Sequence, residues 1–158
     1  MKATLFALFV ALLMVGCGDG TVEWDDLERR GDVIYRKGER LPFTGYVRRS
    51  DFFKFEGNCL DGKEVGLWIY WHRNGAKQSE KNYKEGKKDG VTTWWYDDTQ
   101  KESEFKYEED RLMSAKVWKR DGQQCPLTNI VDGNGFYCEF LESGKNLTHY
   151  VRDGKKTL

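Results

Sequence analysis

The chain has 158 residues, enough for one domain, and its 26 basic and 26 acidic residues leave a formal net charge of zero. That balance gives no electrostatic reason to expect nucleic acid or an anionic surface as a partner. Charged residues make up 33% of the chain, but an aromatic content of 15% with only two prolines argues against disorder and for a thin, solvated β structure.

Residues 1–16 read as a leader. Lys2 supplies a positive end, and Ala3 to Val15 is an apolar run of 13 residues, too short to span a bilayer. Leu13-Met14-Val15-Gly16-Cys17 resembles a bacterial lipobox, with cleavage before Cys17 and the lipid on Cys17, although Met14 stands where Leu is usual. The alternatives are an ordinary secretory signal that leaves Cys17 a plain thiol, or an uncleaved anchor. The resemblance implies a cell-envelope protein, and Gly18 in place of Asp after the cysteine favours the outer over the inner membrane.

Residues 17–26 are expected to be a lipidated tether and residues 27–44 an N-terminal cap. Trp24 to Arg30 suits one helical turn or an extended run, Val33-Ile34-Tyr35 a short strand, and Lys37-Gly38 a turn. A cap is needed because the terminal hairpin of a repeat array exposes an edge.

Residues 45–158 repeat. Two blocks of 24 residues, 66–89 and 90–113, share Gly66/Gly90, Trp71/Trp95, Lys77/Lys101, Ser79/Ser103, Glu80/Glu104, Tyr83/Tyr107 and Glu85/Glu109. Each block predicts a hairpin: an aromatic, β-branched first strand, a turn at Asn74-Gly75, and a return strand in which Ser103, Phe105 and Tyr107 alternate with Glu102, Glu104 and Lys106. Asp98-Thr99 replaces Asn-Gly in the second block, a weaker turn signal. The first strands are apolar on both faces, which implies a twisted or curled sheet. An earlier copy, Gly45 to Gly62, is shortened near Arg49-Ser50-Asp51. A later one restarts at Ser114, with Trp118 and Asp121-Gly122 in register, but its return strand is replaced by an irregular stretch at 123–134. The last copy begins at Gly135, with Phe140 in the Trp71 place and Ser143-Gly144 at the turn. The expected fold is therefore all-β, an elongated antiparallel hairpin-repeat sheet of about ten strands at two per repeat.

Gly66, Tyr70, Trp71, Asn74, Gly75, Glu80, Tyr83, Gly86 and Lys87, echoed by Gly90, Trp94, Trp95, Glu104 and Tyr107, form a pattern that resembles the bacterial variant of the MORN repeat. That group is also known as the YwqK-like antitoxin family. The resemblance implies a protein-interaction module whose partner is a protein, a toxin if the likeness extends to function; the chain is expected to be non-catalytic and monomeric. A structural lipoprotein that binds membrane or cell-wall material is the second reading, and a hydrolase the third.

Few residues suggest chemistry. With Cys17 lipidated, Cys59, Cys125 and Cys138 remain. Cys125 and Cys138 are candidates for a disulfide in an oxidising envelope, and Cys59, in the column of Tyr83, for a buried thiol. His72 and His149 lack partners at zinc-ligand spacing, so no metal or other cofactor is expected. No nucleophile–base–orienter set is evident. The recurring Glu80 and Glu104 read as solvated partners of Lys and Arg. Trp71, Trp95, Trp118 and Phe140 form one aromatic column, either a stacking surface for a ligand or, as favoured on energetic grounds, the core of a thin sheet.

Overall fold

The computed structural model describes residues 21–141 and 145–157. The lipobox-like stretch with Cys17 and the turn expected at Ser143-Gly144 fall outside the described residues. Strands β1 (Thr21–Glu23), β2 (Leu27–Arg30), β3 (Val33–Arg36), β4 (Gly45–Arg49), β5 (Phe55–Leu60), β6 (Lys63–Trp71), β7 (Lys77–Lys84), β8 (Lys87–Trp95), β9 (Lys101–Glu108) and β10 (Arg111–Val117) precede β11 (Gly135–Phe140), β12 (Asn146–Arg152) and β13 (Lys155–Thr157). Ten of these strands, β4 to β13, follow Gly45, and among the described residues there is no α-helix.

An eight-stranded sheet runs β1-β4-β5-β6-β7-β8-β9-β10, β2 pairs with β3, and β11-β12-β13 form a separate three-stranded sheet. The series of hairpins thus ends at Val117, and the last copy does not extend the large sheet. The expected tether also differs. Thr21–Glu23 adds to β4 as a parallel edge strand, and a single 3-10 turn at Trp24–Asp26 leads into β2. Val22 is buried there, so an edge that would otherwise be open is paired.

The repeat is visible in the turns. Asn74, Asp98 and Asp121 each accept, through the side-chain oxygen, a hydrogen bond from the backbone N–H two residues on. This Asx hydrogen bond builds the same turn three times. Thr99 takes φ 72° where Gly75 and Gly122 take 86° and 83°, so Asp98-Thr99 makes the turn at the expense of a strained β-branched residue. Each full hairpin carries a bulge at the same place. Gln78 and Glu102 are skipped where Trp71 pairs with Lys77 and Trp95 with Lys101.

Strand register assigns the core face. One row crosses the sheet as Val47, Gly57, Trp68, Lys81, Thr92, Phe105 and Ala115, and the next as Phe55, Tyr70, Ser79, Trp94, Ser103 and Val117. Trp68 is 2% exposed and lies over Gly57, where a Cβ would fall 2.2 Å from its ring. At the N-terminal end Val22, Leu27, Ile34 and Phe43 bury this face together with Val47, Cys59 and Trp68. The cap is stitched down by backbone hydrogen bonds from Ile34 to Gly62 and from Gly62 to Phe43, both 2.8 Å.

At the other end Ile130 and Val151 pack on Leu112, with Phe105, Tyr107 and Tyr137 around them. The irregular stretch makes this cap possible. Cys125 first hydrogen-bonds back to Val117 at 2.7 Å, like the start of a return strand. The chain then crosses over, and Asn129 bonds to Phe136 of β11. Cys125 and Cys138 form a disulfide with Cα atoms 6.7 Å apart, within the range a bridge requires, and together with Val117 they make a third buried cluster.

Candidate functional site: a cleft between two caps

Both caps cover the same face of the large sheet, one on Trp68 and the other on Phe105 and Leu112. The residues between them in the two rows, Lys81, Thr92, Ser79 and Trp94, belong to none of the three apolar clusters. A cleft of about 380 Å³ lies there, with Lys81, Thr92, Trp94 and Phe105 on its sheet side and Tyr137, Glu139 and Phe140 on the side of the C-terminal cap. It continues past His72 and Gln78 to a hollow beside Phe52 and Phe53, a pair 55% and 62% exposed.

Lys81 has the most unusual setting. Its ammonium sits 3.9 Å from the Tyr70 ring centroid and 4.7 Å from that of Trp94. Among the described residues it makes no ion pair with a carboxylate. Burial, helped by repulsion from Lys88, brings its pKa down to about 8. The Thr92 and Ser79 hydroxyls beside it are 2% and 0% exposed residues whose oxygens find no hydrogen-bond partner. Buried hydroxyls are ordinarily satisfied.

Two acidic residues, Glu102 of β9 and Glu139 of β11, also line the cleft. Burial, and then the charge of Glu139, raises the Glu102 carboxyl above its usual range. Glu139 bonds to His149 at 2.6 Å. His72 donates from Nε2 to the Trp95 carbonyl at 2.8 Å, which fixes its ring at the mouth of the cleft.

The aromatic column is not the core. Trp71, Trp95 and Trp118 are half-buried and lie outside all three clusters, and only Phe140 packs beside one. Burial favours a different column from the one expected, because Trp68, Tyr70, Phe105 and Tyr107 face the caps and supply the apolar contacts. The tryptophan column is covered by lysines. Lys77 lies 5.1 Å over Trp95, Lys101 5.5 Å over Trp118, and Lys119 5.8 Å over Phe140, contacts each worth about 0.5–1 kcal/mol at exposed sites. Glu104 pairs with Lys101 at 3.0 Å in the open, and Glu80 with Lys77. Cys59 is a buried free thiol, its pKa pushed up to about 12 by burial. Among the described residues no group of three or more His, Cys, Asp or Glu could hold a metal. Nor, among the described residues, is any helix long and apolar enough to cross a membrane.

Lys81, Thr92, Trp94 and Glu102 were not singled out by sequence reasoning, although a signal existed. In the 24-residue register Lys81 falls between Gly57 and Phe105, and Thr92 follows Trp68. A charge and a hydroxyl break two otherwise apolar or small columns at the same point.

These shifts predict an unusual stability profile. Lys81 holds fewer protons folded than unfolded between pH 8 and its ordinary 10.5, so stability rises with pH there. The slope for one full proton is about 1.4 kcal/mol per pH unit. Cys59, raised from 9.0, works in the opposite direction above pH 9, and Tyr70 and Tyr107, both raised from 10.0, do so above pH 10. Urea midpoints should therefore climb from pH 8 to 9, level off to pH 10, and fall beyond it. Lys81→Met should remove the climb and keep the fall.

Compared with family models, curated proteins and solved structures, the chain matches none.

Proposed function

We propose that this chain is a non-catalytic lipoprotein of the cell envelope whose β-repeat domain is a protein-interaction module, and that it binds its partner in the cleft between the two caps. The observation that carries this reading is a set of unspent binding groups on the middle of the sheet. An aromatic-walled cleft holds an ammonium with no carboxylate and a buried hydroxyl with no acceptor. Such concave sites, apolar with a few placed polar groups, are where ligands bind. The Nε2 of the cleft's histidine, His72, is held by the Trp95 carbonyl, which supports a binding role over a general-base role for it. The lipobox around Cys17 supports an anchor in the membrane, with the outer membrane favoured. The resemblance to YwqK-like antitoxins supports a protein, such as a toxin, as the partner.

Site-specific photocrosslinking in intact cells tests this. A photoreactive residue replacing Phe53, at the end of the cleft, should yield a discrete protein adduct in the membrane fraction. The same residue replacing Leu67, 43% exposed and next to the core-facing Trp68, should yield none. Equal adducts from both positions, or none from Phe53, would reject the cleft as the binding surface.

A further inference from the structure

We propose that the floor of the cleft is a carboxylate-binding site in which Lys81 takes the anion and Thr92 donates a second hydrogen bond, with an aromatic or apolar group of the ligand on the rings beside them. This rests on the reading of the chain as a binding module and names what the module recognises.

The polar groups that lack partners decide the ligand's polarity. Lys81 carries only donors, and the Thr92 hydroxyl has one to give. Lys88, also lining the cleft, adds a second positive charge, its ammonium 4.9 Å from the Tyr107 ring centroid. An acceptor with a negative charge satisfies all three. The depressed pKa of Lys81 agrees with this, because an anion brought against a desolvated ammonium is screened less than at an open surface. Acidic groups limit the charge of the anion. Glu102 of β9 and Glu139 of β11, the latter bonded to His149, also line the cleft, so a dianion such as phosphate is repelled more strongly than a single carboxylate.

The rings decide what stands next to the carboxylate. Trp94, Phe105 and Tyr137 line the cleft and are only half-buried, and offset or edge contacts with an aromatic side chain suit such walls. The C-terminal residue of a peptide ending in an aromatic side chain meets both conditions, and so does a free aryl-alkanoic acid. A purely structural role for Lys81, as a brace between Tyr70 and Trp94, accounts for the two ring contacts. It does not account for the Thr92 hydroxyl or for the open cleft above them.

The test uses the full chain in detergent with N-acetyl-phenylalanine, its C-terminal amide and 3-phenylpropionate as probes. Tryptophan fluorescence and the 13Cε resonance of Lys81 are the readouts. N-acetyl-phenylalanine should bind saturably, at least 10-fold tighter than the amide, and should move the titration of Lys81 upward. Lys81→Met should weaken it at least 10-fold, and Thr92→Val less. Tighter binding of N-acetyl-phenylalanine than of 3-phenylpropionate identifies a peptide terminus, and the reverse order a free acid. Equal binding of acid and amide, no saturable binding of either acid, or unchanged affinity in a folded Lys81→Met overturns the site. Crosslinking from Phe53 that persists undiminished in Lys81→Met would also overturn it, while leaving the binding module standing.

Discussion

Trp68→Ala is expected to destabilise the domain by about 3–5 kcal/mol, the range for truncating a buried aromatic. Domain stabilities are about 5–15 kcal/mol in total, so this variant should lie near the edge of folding. Trp68 is 2% exposed and links the N-terminal cap to the sheet. Its ring lies over Gly57, meets Phe55 at 5.9 Å and Tyr83 at 6.3 Å, and its indole N–H donates to the Asn58 carbonyl at 3.1 Å. Alanine removes the ring contacts and leaves that carbonyl without its donor. Trp95→Ala is the informative companion. It loses half-buried surface and the Lys77 contact, so about 1–2 kcal/mol is expected. Urea melts of the two variants beside the parent measure the difference. An equal loss in both would return the tryptophan column to the core.

Opening the Cys125–Cys138 disulfide should cost about 3 kcal/mol, the chain-entropy value for a loop of this length. The bridge closes 13 residues that contain the irregular crossover. Scattered backbone bonds rather than a continuous ladder hold that segment: Cys125 to Val117, Asn129 to Phe136, Gly133 to Met113 and Gly154 to Gly133, with isolated bridges at Trp118–Gln124 and Val131–Asn134. The reduced chain must therefore order this stretch through those scattered bonds and the packing of Ile130. Melts with and without reductant should differ by that amount in the parent, and the Cys125→Ser/Cys138→Ser double variant should match the reduced parent in both. Cys59→Ala, at the far end of the sheet, should leave the effect of reductant unchanged. A parent insensitive to reductant would mean that the crossover is held by side-chain packing alone.

Much of the architecture was legible in the residues because a hairpin is local. Asn74-Gly75 and Asp121-Gly122 announce turns, the alternation of Ser103, Phe105 and Tyr107 announces a strand with one buried face, and a period of 24 says that the unit recurs. Strand number and hairpin order follow from such short-range facts. Even the weaker Asp98-Thr99 made its turn, because the Asx hydrogen bond of Asp98 is as local as the glycine it replaces.

The burial of individual aromatics was less legible, and the cleft was not. Tyr70 and Trp71 are neighbours of similar character, and composition cannot say which faces the core. The bulges at Gln78 and Glu102 and the register across eight strands decide it, placing Trp68 and Tyr70 against the N-terminal cap and leaving Trp71 half-buried and Trp95 beneath Lys77. Where the caps sit depends on contacts between residues far apart in the chain, such as Ile34 with Gly62 or Leu112 with Gly154. Those contacts bury the two ends of one face and leave its middle open.

By itself, then, the sequence determined a β-hairpin repeat, since turn chemistry and alternation act within a few residues. Only the tertiary structure decided that the last copy folds back as a second cap and that Lys81 lies between two rings without a carboxylate. The first depends on contacts between residues far apart in the chain, such as Leu112 with Gly154, and the second on the register of three successive strands, β6, β7 and β8, which the pattern of any one strand does not encode.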